Sequence, residues 1–292
     1  MYELVQAASG SFYIQSPAKI GVVPCEGNDV ALIDSGSDKD AGKKVKKILD
    51  AQGWKLKAIF NTHSHADHIG GNRYLQFQTG CSIYASGIEC AFTRELLLEP
   101  AFLYGAYPPK DLRHKFLLAQ ESEAEPLTDE VLPEGFEIIP LPGHFFDMVG
   151  FRTPDGVVFL ADCLSSAETL EKYQIGFIYD VAAYLDTLEK VKGMEARLFV
   201  PSHAAPTEDI APLAQLNIDK VNEIAERVMA LCAEPRCFEA ILQQLFRDYA
   251  LAMNFEQYVL VGSTLRSYLA WLRDTGRLVP VFEDGMLLWT RS

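Results

Sequence analysis

Residues 62–68 read Thr62-His63-Ser64-His65-Ala66-Asp67-His68 and place three imidazoles and one carboxylate within six residues. This combination suits zinc, iron or manganese better than magnesium or calcium. His63 and His65 are two positions apart, so on an extended chain they project from the same side. The spacing predicts one metal ion at this pair and a second at Asp67 and His68. The alternative is a solvated loop that happens to be rich in histidine, which would give no physical reason for the spacing of these residues.

The flanking residues predict where this stretch lies in the fold. Residues 56–61 are apolar and strand-like, and Gly70-Gly71-Asn72 predicts a flexible turn into the next helix. Open α/β sheets place their sites at the ends of strands, before a helix. We therefore expect the histidines to lie at the mouth of a strand.

Three further candidate ligands each follow a strand-like apolar run. They are His144 after residues 136–140, Asp162 after residues 157–161, and His203 after residues 198–202. Any one alone would be a common structural residue, but the repeated arrangement favours a shared site. A carboxylate at the end of a buried strand also needs a partner, because an unpaired buried charge is costly.

These residues together resemble the metallo-β-lactamase superfamily. The pattern His-x-His-x-Asp-His, followed by a histidine, an aspartate and a final histidine, is complete over roughly residues 10 to 210. The resemblance implies an α/β fold, a four-layer αβ/βα sandwich with a dinuclear site between two sheets. Aspartate, not cysteine, at the predicted bridging position resembles the glyoxalase-II-like branch of hydrolases.

The resemblance also implies a role for each matching residue and two divalent metal ions, with zinc favoured over iron or manganese. The first metal is assigned to His63, His65 and His144, the second to Asp67, His68 and His203, with Asp162 as the bridge. Asp34 matches an acidic residue that orients the histidine loop without touching metal. Asp67 is the predicted catalytic residue, orienting a metal-bridging hydroxide and accepting a proton.

Two domains are expected, a catalytic domain over residues 1–215 and a smaller helical domain over residues 216–292. For the second domain, the sequence predicts helices over 213–231, 238–249 and 258–274, then a hairpin around the Asp-Gly turn at Asp284-Gly285. This order resembles a winged-helix unit, which in some members of the superfamily is associated with RNA cleavage. An insertion at about 87–120 is predicted to be a lid with Tyr104 and Tyr107 as aromatic walls, or a packing or dimer element. His114, within it, is expected to be a packing histidine.

Composition narrows the expected partners. The formal net charge is −14, and residues 216–292 contain 8 Lys+Arg against 10 Asp+Glu. Such a tail offers little counterion release, so nucleic acid is not expected as a partner. We expect a small-molecule substrate and no membrane association. The apolar helix faces of residues 216–292 are expected to pack either against the catalytic domain or against a second copy of the chain in a homodimer. Six scattered cysteines and the lack of a signal-like N-terminal segment predict a cytoplasmic protein with free thiols.

The predicted function is metal-dependent hydrolysis of an ester, thioester, lactone or related bond. Three alternatives stay open: an iron-dependent persulfide dioxygenase, an RNA phosphodiesterase if the tail binds nucleic acid, and a non-catalytic partner-binding scaffold. A flavo-diiron reductase is disfavoured because the pattern of those proteins has an acidic residue at the position that His65 occupies here. No basic cluster that would suit glutathione is found in the tail.

Overall fold

The computed structural model describes residues 2–292, which form two large sheets that face each other. The first sheet has seven strands in chain order, antiparallel through the fourth strand and parallel after it. They are β1 (Glu3–Gln6), β2 (Phe12–Gln15), β3 (Ile20–Pro24), β4 (Asp29–Ile33), β5 (Lys55–Phe60), β6 (Ser82–Ala85) and β7 (Ala124–Pro126). The Gly27-Asn28-Asp29 turn joins β3 to β4.

The second sheet has four strands in the order β11-β10-β9-β8. They are β8 (Glu137–Pro140), β9 (Val149–Arg152), β10 (Val157–Ala161) and β11 (Leu198–Pro201). β10 pairs with β11 in parallel and with β9 antiparallel. The carboxyl ends of β10 and β11 therefore lie together, and Asp162 and His203 follow them closely in sequence.

Side-chain alternation along the strands gives the sandwich its layers. In β4, Ala31 and Ile33 pack into the core between the two sheets, whereas Val30 and Leu32 pack outward under helices. In β10, Val157 and Phe159 likewise face the core between the sheets, and Val158 and Leu160 face the opposite side. The layer order helix, sheet, sheet, helix confirms the predicted sandwich.

Helices cover the outer face of each sheet. The part of the chain before residue 211 contains α1 (Lys39–Gln52), α2 (Ala66–Ile69), α3 (Asn72–Thr79), α4 (Glu89–Arg94), α5 (Leu98–Tyr104), α6 (Ala167–Tyr173) and α7 (Val181–Lys192). α1 begins after the Asp38 cap and ends at Gly53, which has a left-handed conformation. The predicted insertion holds α4 and α5, and α5 ends at Gly105, also left-handed.

The C-terminal part is helical and shares its core with the second sheet. In order it contains α8 (Ala211–Leu231), β12 (Arg236–Cys237), α9 (Phe238–Asp248), α10 (Phe255–Asp274), β13 (Leu278–Glu283) and β14 (Met286–Arg291). The three strands form a small sheet, and the predicted helices and hairpin are present. The expected boundary at residue 216 lies inside α8, and one apolar cluster includes residues from Ile139 to Leu278 on both sides of it. The winged-helix assignment stays a prediction.

Across residues 2–292, no helix combines the length and apolar character needed to cross a bilayer.

Candidate metal centre

The structure brings all seven predicted ligands together in two adjoining groups. Within each group, one donor atom per residue lies within 4.8 Å of every other. The first group is His63, His65 and His144, and the second is Asp67, His68, Asp162 and His203. The first group holds the three histidines assigned to the first metal, and the second holds the three residues assigned to the second metal together with Asp162.

The first group forms because β5 delivers the histidine loop to the end of the sheet. His65 caps α2 with an extended backbone, so His63 and His65 precede the helix while Asp67 and His68 lie within it. His65 Nδ1 lies 3.1 Å from His63 Nε2 and 3.1 Å from His144 Nε2. Three imidazole nitrogens therefore surround one point, although they come from two distant parts of the chain.

The second group contains the carboxylates. His203 Nε2 lies 3.2 Å from Asp67 Oδ2 and 3.2 Å from Asp162 Oδ2. His68 Nε2 lies 3.2 Å from Asp162 Oδ1, and His144 Nε2 of the first group lies 3.8 Å from Asp162 Oδ2. Asp162 is thus the carboxylate between the two groups, at the place predicted for a bridge.

The donor set fits divalent metal ions. Two ligands at about 2.1 Å from one tetrahedral metal lie roughly 3.4 Å apart, close to the spacings found here. Within residues 2–292, His68 Nε2 and Asp162 Oδ1 are buried without a hydrogen-bond partner. Buried polar atoms without partners are uncommon, and a cation between such donors would satisfy both. The His and Asp residues can therefore bind divalent metals.

Four of the five candidate ligand histidines have a neighbour at their other ring nitrogen that fixes the ring. Outer contacts of this kind set the tautomer and orientation of a metal ligand. The neighbours are Asp34 Oδ2 for His68 (2.7 Å), Thr62 Oγ1 for His63 (3.0 Å), the Phe177 carbonyl for His144 (3.0 Å) and the Pro17 carbonyl for His203 (3.1 Å). These contacts leave Nε2 of all four histidines facing the centre.

Asp34 lies beneath the histidine loop, as predicted. Its carboxylate accepts hydrogen bonds from the Thr62 backbone N–H and the Thr62 hydroxyl, both at 2.8 Å, and from His68 Nδ1. Asp34 is buried and has a left-handed backbone (φ 63°), which is uncommon outside glycine. Backbone conformations of this kind often occur where neighbouring structure holds a functional residue in place.

The glycines after the motif have a different role from the flexible turn that the sequence predicted. Gly70 and Gly71 both have ordinary helical backbone angles. A Cβ atom at Gly70 would lie 2.2 Å from the Ser37 backbone, and one at Gly71 would lie 2.3 Å from the Ser35 carbonyl oxygen. Glycine therefore allows the ligand loop to pack closely against the segment after β4.

Two buried glutamates near the first group were missed by sequence reasoning. Glu89, in α4, accepts hydrogen bonds from Ser64 N (3.0 Å), Ser64 Oγ (2.6 Å) and Asp147 N (3.1 Å). Glu99, in α5, places its Oε1 atom 4.0 Å from His65 Nε2. No local motif marks either residue, and both lie in the predicted insertion. Their apolar neighbours in short helices were the one available signal that the insertion is buried here.

The predicted aromatic walls of the insertion are not found at the metal groups. Tyr107 is 69% exposed, and Tyr104 packs against Phe255 of α10 with ring centroids 6.1 Å apart. The insertion instead reaches the site through its glutamates and Phe102, whose ring lies 6.3 Å from that of Phe145. His114 packs against Phe116 and belongs to neither group of candidate ligands, in agreement with its predicted packing role.

Burial and charge separate the two groups electrostatically. Burial is the main cause that lowers the pKa of His63, of His144, and of His65 to about 3, so these imidazoles are neutral and available as ligands. The Asp162 carboxylate raises the pKa of His203 to about 10. Burial opposes protonation of His68, but Asp162, Asp67 and Asp34 outweigh it and raise its pKa. The second group therefore attracts positive charge strongly.

A cavity opens beside the metal groups. Its lining includes His144, Asp162 and His203, together with residues from the segment after β10 and from α8 and α10. The segment at 173–179 contributes Gln174, Gly176, Phe177 and Ile178. Cys163 is buried in the apolar core next to Asp162. All six cysteines are free thiols.

Comparison with known proteins agrees with this geometry. The sequence model of the metallo-beta-lactamase superfamily matches residues 20–203. A hydroxyacylglutathione hydrolase of Cereibacter sphaeroides is 27% identical over 157 residues, 51% of this chain and 52% of that protein. A probable metallo-hydrolase of Bacillus subtilis, YflN, is 25% identical over 208 residues, 63% of this chain and 78% of that protein. The chain spans about half or less of the length of the first curated relatives that it matches.

Solved structures show that the similarity of fold extends over nearly the whole chain. A beta-lactamase domain protein from Burkholderia ambifaria has a TM-score of 0.75 at 18% identity, covering 99% of this chain and 94% of that one. The metallo-beta-lactamase family protein TTHA1429 from Thermus thermophilus has a TM-score of 0.74 at 18% identity, covering 98% and 100%. With its matched domain, its sandwich and its converging ligands, the chain belongs to the metallo-β-lactamase superfamily.

Proposed function

We propose that the chain is a hydrolase that uses two divalent metal ions to cleave an ester, thioester, lactone or related bond. The observation that carries the proposal is the position of Asp162 between two complete donor groups. Two bound cations would supply a water molecule of lowered pKa and would polarise the scissile bond. Zinc is the metal we propose, because the donors are imidazoles and carboxylates at tetrahedral spacing.

The chain's own residues supply orientation and proton transfer in this proposal. Asp67 Oδ2 lies 3.2 Å from His203 Nε2, and 41% of the Asp67 side chain is exposed, whereas 11% of the Asp162 side chain is. Asp67 is therefore the carboxylate of the centre that also faces solvent. It would orient the attacking water and accept its proton, and Asp162 would hold the two donor groups in register.

The cavity beside the ligands suits a small-molecule substrate. Apart from the metal-binding histidines, its one cationic lining residue is Lys220, which already contacts Gln174 Oε1 at 2.7 Å and both Glu223 carboxylate oxygens at 3.0 Å. Outside the metal centre, a strongly anionic substrate such as glutathione would therefore find little uncompensated positive charge in this cavity. The acidic chain also repels polyanions. We therefore propose neutral acyl substrates, and neither nucleic acid nor glutathione conjugates.

The test is a substrate screen with protein loaded with zinc, with iron, or stripped of metal. Phenyl acetate, an acyl thioester, a γ-lactone and bis(p-nitrophenyl) phosphate represent the bond classes. We expect metal-dependent cleavage of at least one carbonyl substrate and a loss of about 10²–10⁴-fold in Asp67→Asn. Oxygen uptake by iron-loaded protein with glutathione persulfide, without hydrolysis, would overturn the proposal in favour of the dioxygenase.

A further inference from the structure

The cavity beside the metal groups has one apolar side, built by two distant parts of the chain, and a polar side that includes Gln174, Asn217 and Lys220. Leu170, Phe177 and Ile178 come from α6 and the segment after it, and Val221 and Ile224 come from α8. Tyr268 of α10 lines the same cavity and is fully buried. Apolar walls beside a reacting centre select the part of a substrate that carries no charge.

Hydrogen bonds fix the wall that α10 supports. The Ile178 N–H donates to Thr264 Oγ1 at 3.2 Å, and Ser267 Oγ donates to the Tyr179 carbonyl at 2.7 Å. The same loop presents the Phe177 carbonyl that orients His144. The loop that lines the cavity therefore also orients a metal ligand. The wall of the cavity is complete only when α8 and α10 are in place.

The Tyr268 hydroxyl is a polar group without a partner. Within residues 2–292 it forms no hydrogen bond, although the atom is buried. A buried hydroxyl without a partner costs free energy, so a ligand atom that accepts its hydrogen bond would be favoured. The unpartnered hydroxyl therefore points to a ligand in the cavity, independently of the cavity's shape.

The size of the cavity limits what it can hold. Its volume is about 70 Å³, and one water needs about 10–15 Å³ on this measure, so the space suits roughly five to seven non-hydrogen atoms. An acyl group of about four to six carbons fills this space. Longer chains would have to displace packed side chains of α8 or α6, which is costly in a dense core.

We infer that this cavity is the acyl subsite of the enzyme, and that it takes a short, mainly apolar acyl group with a hydrogen-bond acceptor near its far end, bound by Tyr268. The inference rests on the proposed hydrolase function. Hydrolysis breaks the bond between the acyl carbon and the oxygen or sulfur of the leaving group. Water supplies the OH to the acyl carbon and the proton to the leaving group, which departs away from the cavity.

The first experiment measures kcat/KM for p-nitrophenyl esters from acetyl to decanoyl with the metal-loaded full chain. We expect a rise of roughly fourfold per methylene up to about four to six carbons, followed by a fall. Ile224→Ala removes three carbon atoms from the wall and should move the optimum to longer chains. Ile218→Ala makes the same truncation on α8, outside the cavity lining, and should leave the optimum in place.

The second experiment tests Tyr268 with Tyr268→Phe, which removes the hydroxyl and keeps the ring. Wild type should prefer 4-oxopentanoyl over pentanoyl esters by about tenfold, and the variant should lose that preference. Equal use of the two esters by wild type would overturn the role of Tyr268 and indicate that a water satisfies its hydroxyl. Circular dichroism and thermal melting check that each variant folds.

Binding separates this inference from the proposed function. Calorimetry with acetate, pentanoate, 4-oxopentanoate and decanoate on the metal-loaded protein needs no turnover. Tightest binding of the five-carbon acids would support the acyl subsite even if no ester were cleaved, in which case the proposed function alone would fail. Binding or cleavage that is independent of chain length would overturn the subsite.

Discussion

Glu89 joins the two loops that carry the first metal group, because its carboxylate binds Ser64 and the loop after His144 at the same time. One oxygen accepts from Ser64 N and Ser64 Oγ, and the other accepts from Asp147 N. Ser64 stands between His63 and His65 in sequence. The Asp147 carboxylate in return accepts from the Ile88 N–H, so the start of α4 and the His144 loop hold each other.

The first prediction concerns this contact. Glu89→Gln replaces one of the two acceptor oxygens by an NH₂ group, so the side chain can accept from Ser64 or from the Asp147 N–H but not from both. Loss of a hydrogen bond that positions metal ligands from outside typically costs 10–100-fold in metal affinity. We expect such a loss at the first group, measured by competition of cobalt(II) or zinc with a chelator, while the second group keeps its affinity.

The matched control is Glu95→Gln, at an exposed glutamate just after α4. It should leave both affinities unchanged. An equal loss of affinity at both groups in Glu89→Gln, together with a lower melting temperature, would indicate a general folding defect and contradict a positioning role for Glu89.

The second prediction concerns Asp162. Its two oxygens face donors of both groups, including His68 at 3.2 Å and His144 at 3.8 Å. Asp162→Ala should therefore deplete both metals, whereas His203→Ala should deplete mainly one. Elemental analysis of the purified variants gives the ratio of metal to chain, with close to two expected for wild type. Equal depletion by the two substitutions would argue against a bridge.

The third prediction concerns the C-terminal part and nucleic acid. With 8 Lys+Arg against 10 Asp+Glu in residues 216–292, few phosphate charges would be neutralised on binding. We expect no binding of single-stranded RNA at physiological salt and at most weak binding at low salt. The measurement is a fluorescence titration at both salt concentrations. Tight binding that persists at physiological salt would make RNA phosphodiesterase the preferred function.

The fourth prediction is a pH dependence of stability at Asp155, which joins turns of the two sheets. Burial alone would raise its pKa, but hydrogen bonds from Ser11, Thr153 and Gly10 outweigh burial and lower the pKa. A lowered folded-state pKa stabilises the fold above the ordinary value of 3.8 and loses that effect as the pH falls through the folded value.

Asp155→Asn should therefore be less stable than wild type at pH 7, by about 1 kcal/mol because the site is partly exposed. The difference should shrink below about pH 4. Urea unfolding at pH 7, 5 and 3.5 measures it. Asp186→Asn, at an exposed position of α7, is the control and should show no such dependence. A constant difference at all three pH values would contradict the assigned cause.

The local spacing of residues determined the ligand set and much of the architecture. His63, His65, Asp67 and His68 could be recognised because metal coordination imposes a short-range pattern on the chain. The strands before Asp162 and His203 could be recognised because a buried strand is continuously apolar, and the strand before His144 because most of its residues are apolar. Such signals lie within a few residues of each other, so they can be read without knowing the fold.

Tertiary structure alone decided what surrounds the ligands. Glu89 and Glu99 lie in short helices without a motif, and they meet the histidine loop only because the insertion folds back over it. Tyr268 reaches the cavity beside Asp162 because α10 packs against the segment after β10. These contacts join residues tens to about a hundred positions apart, and their free energy depends on burial and distance, which no local pattern of the sequence encodes.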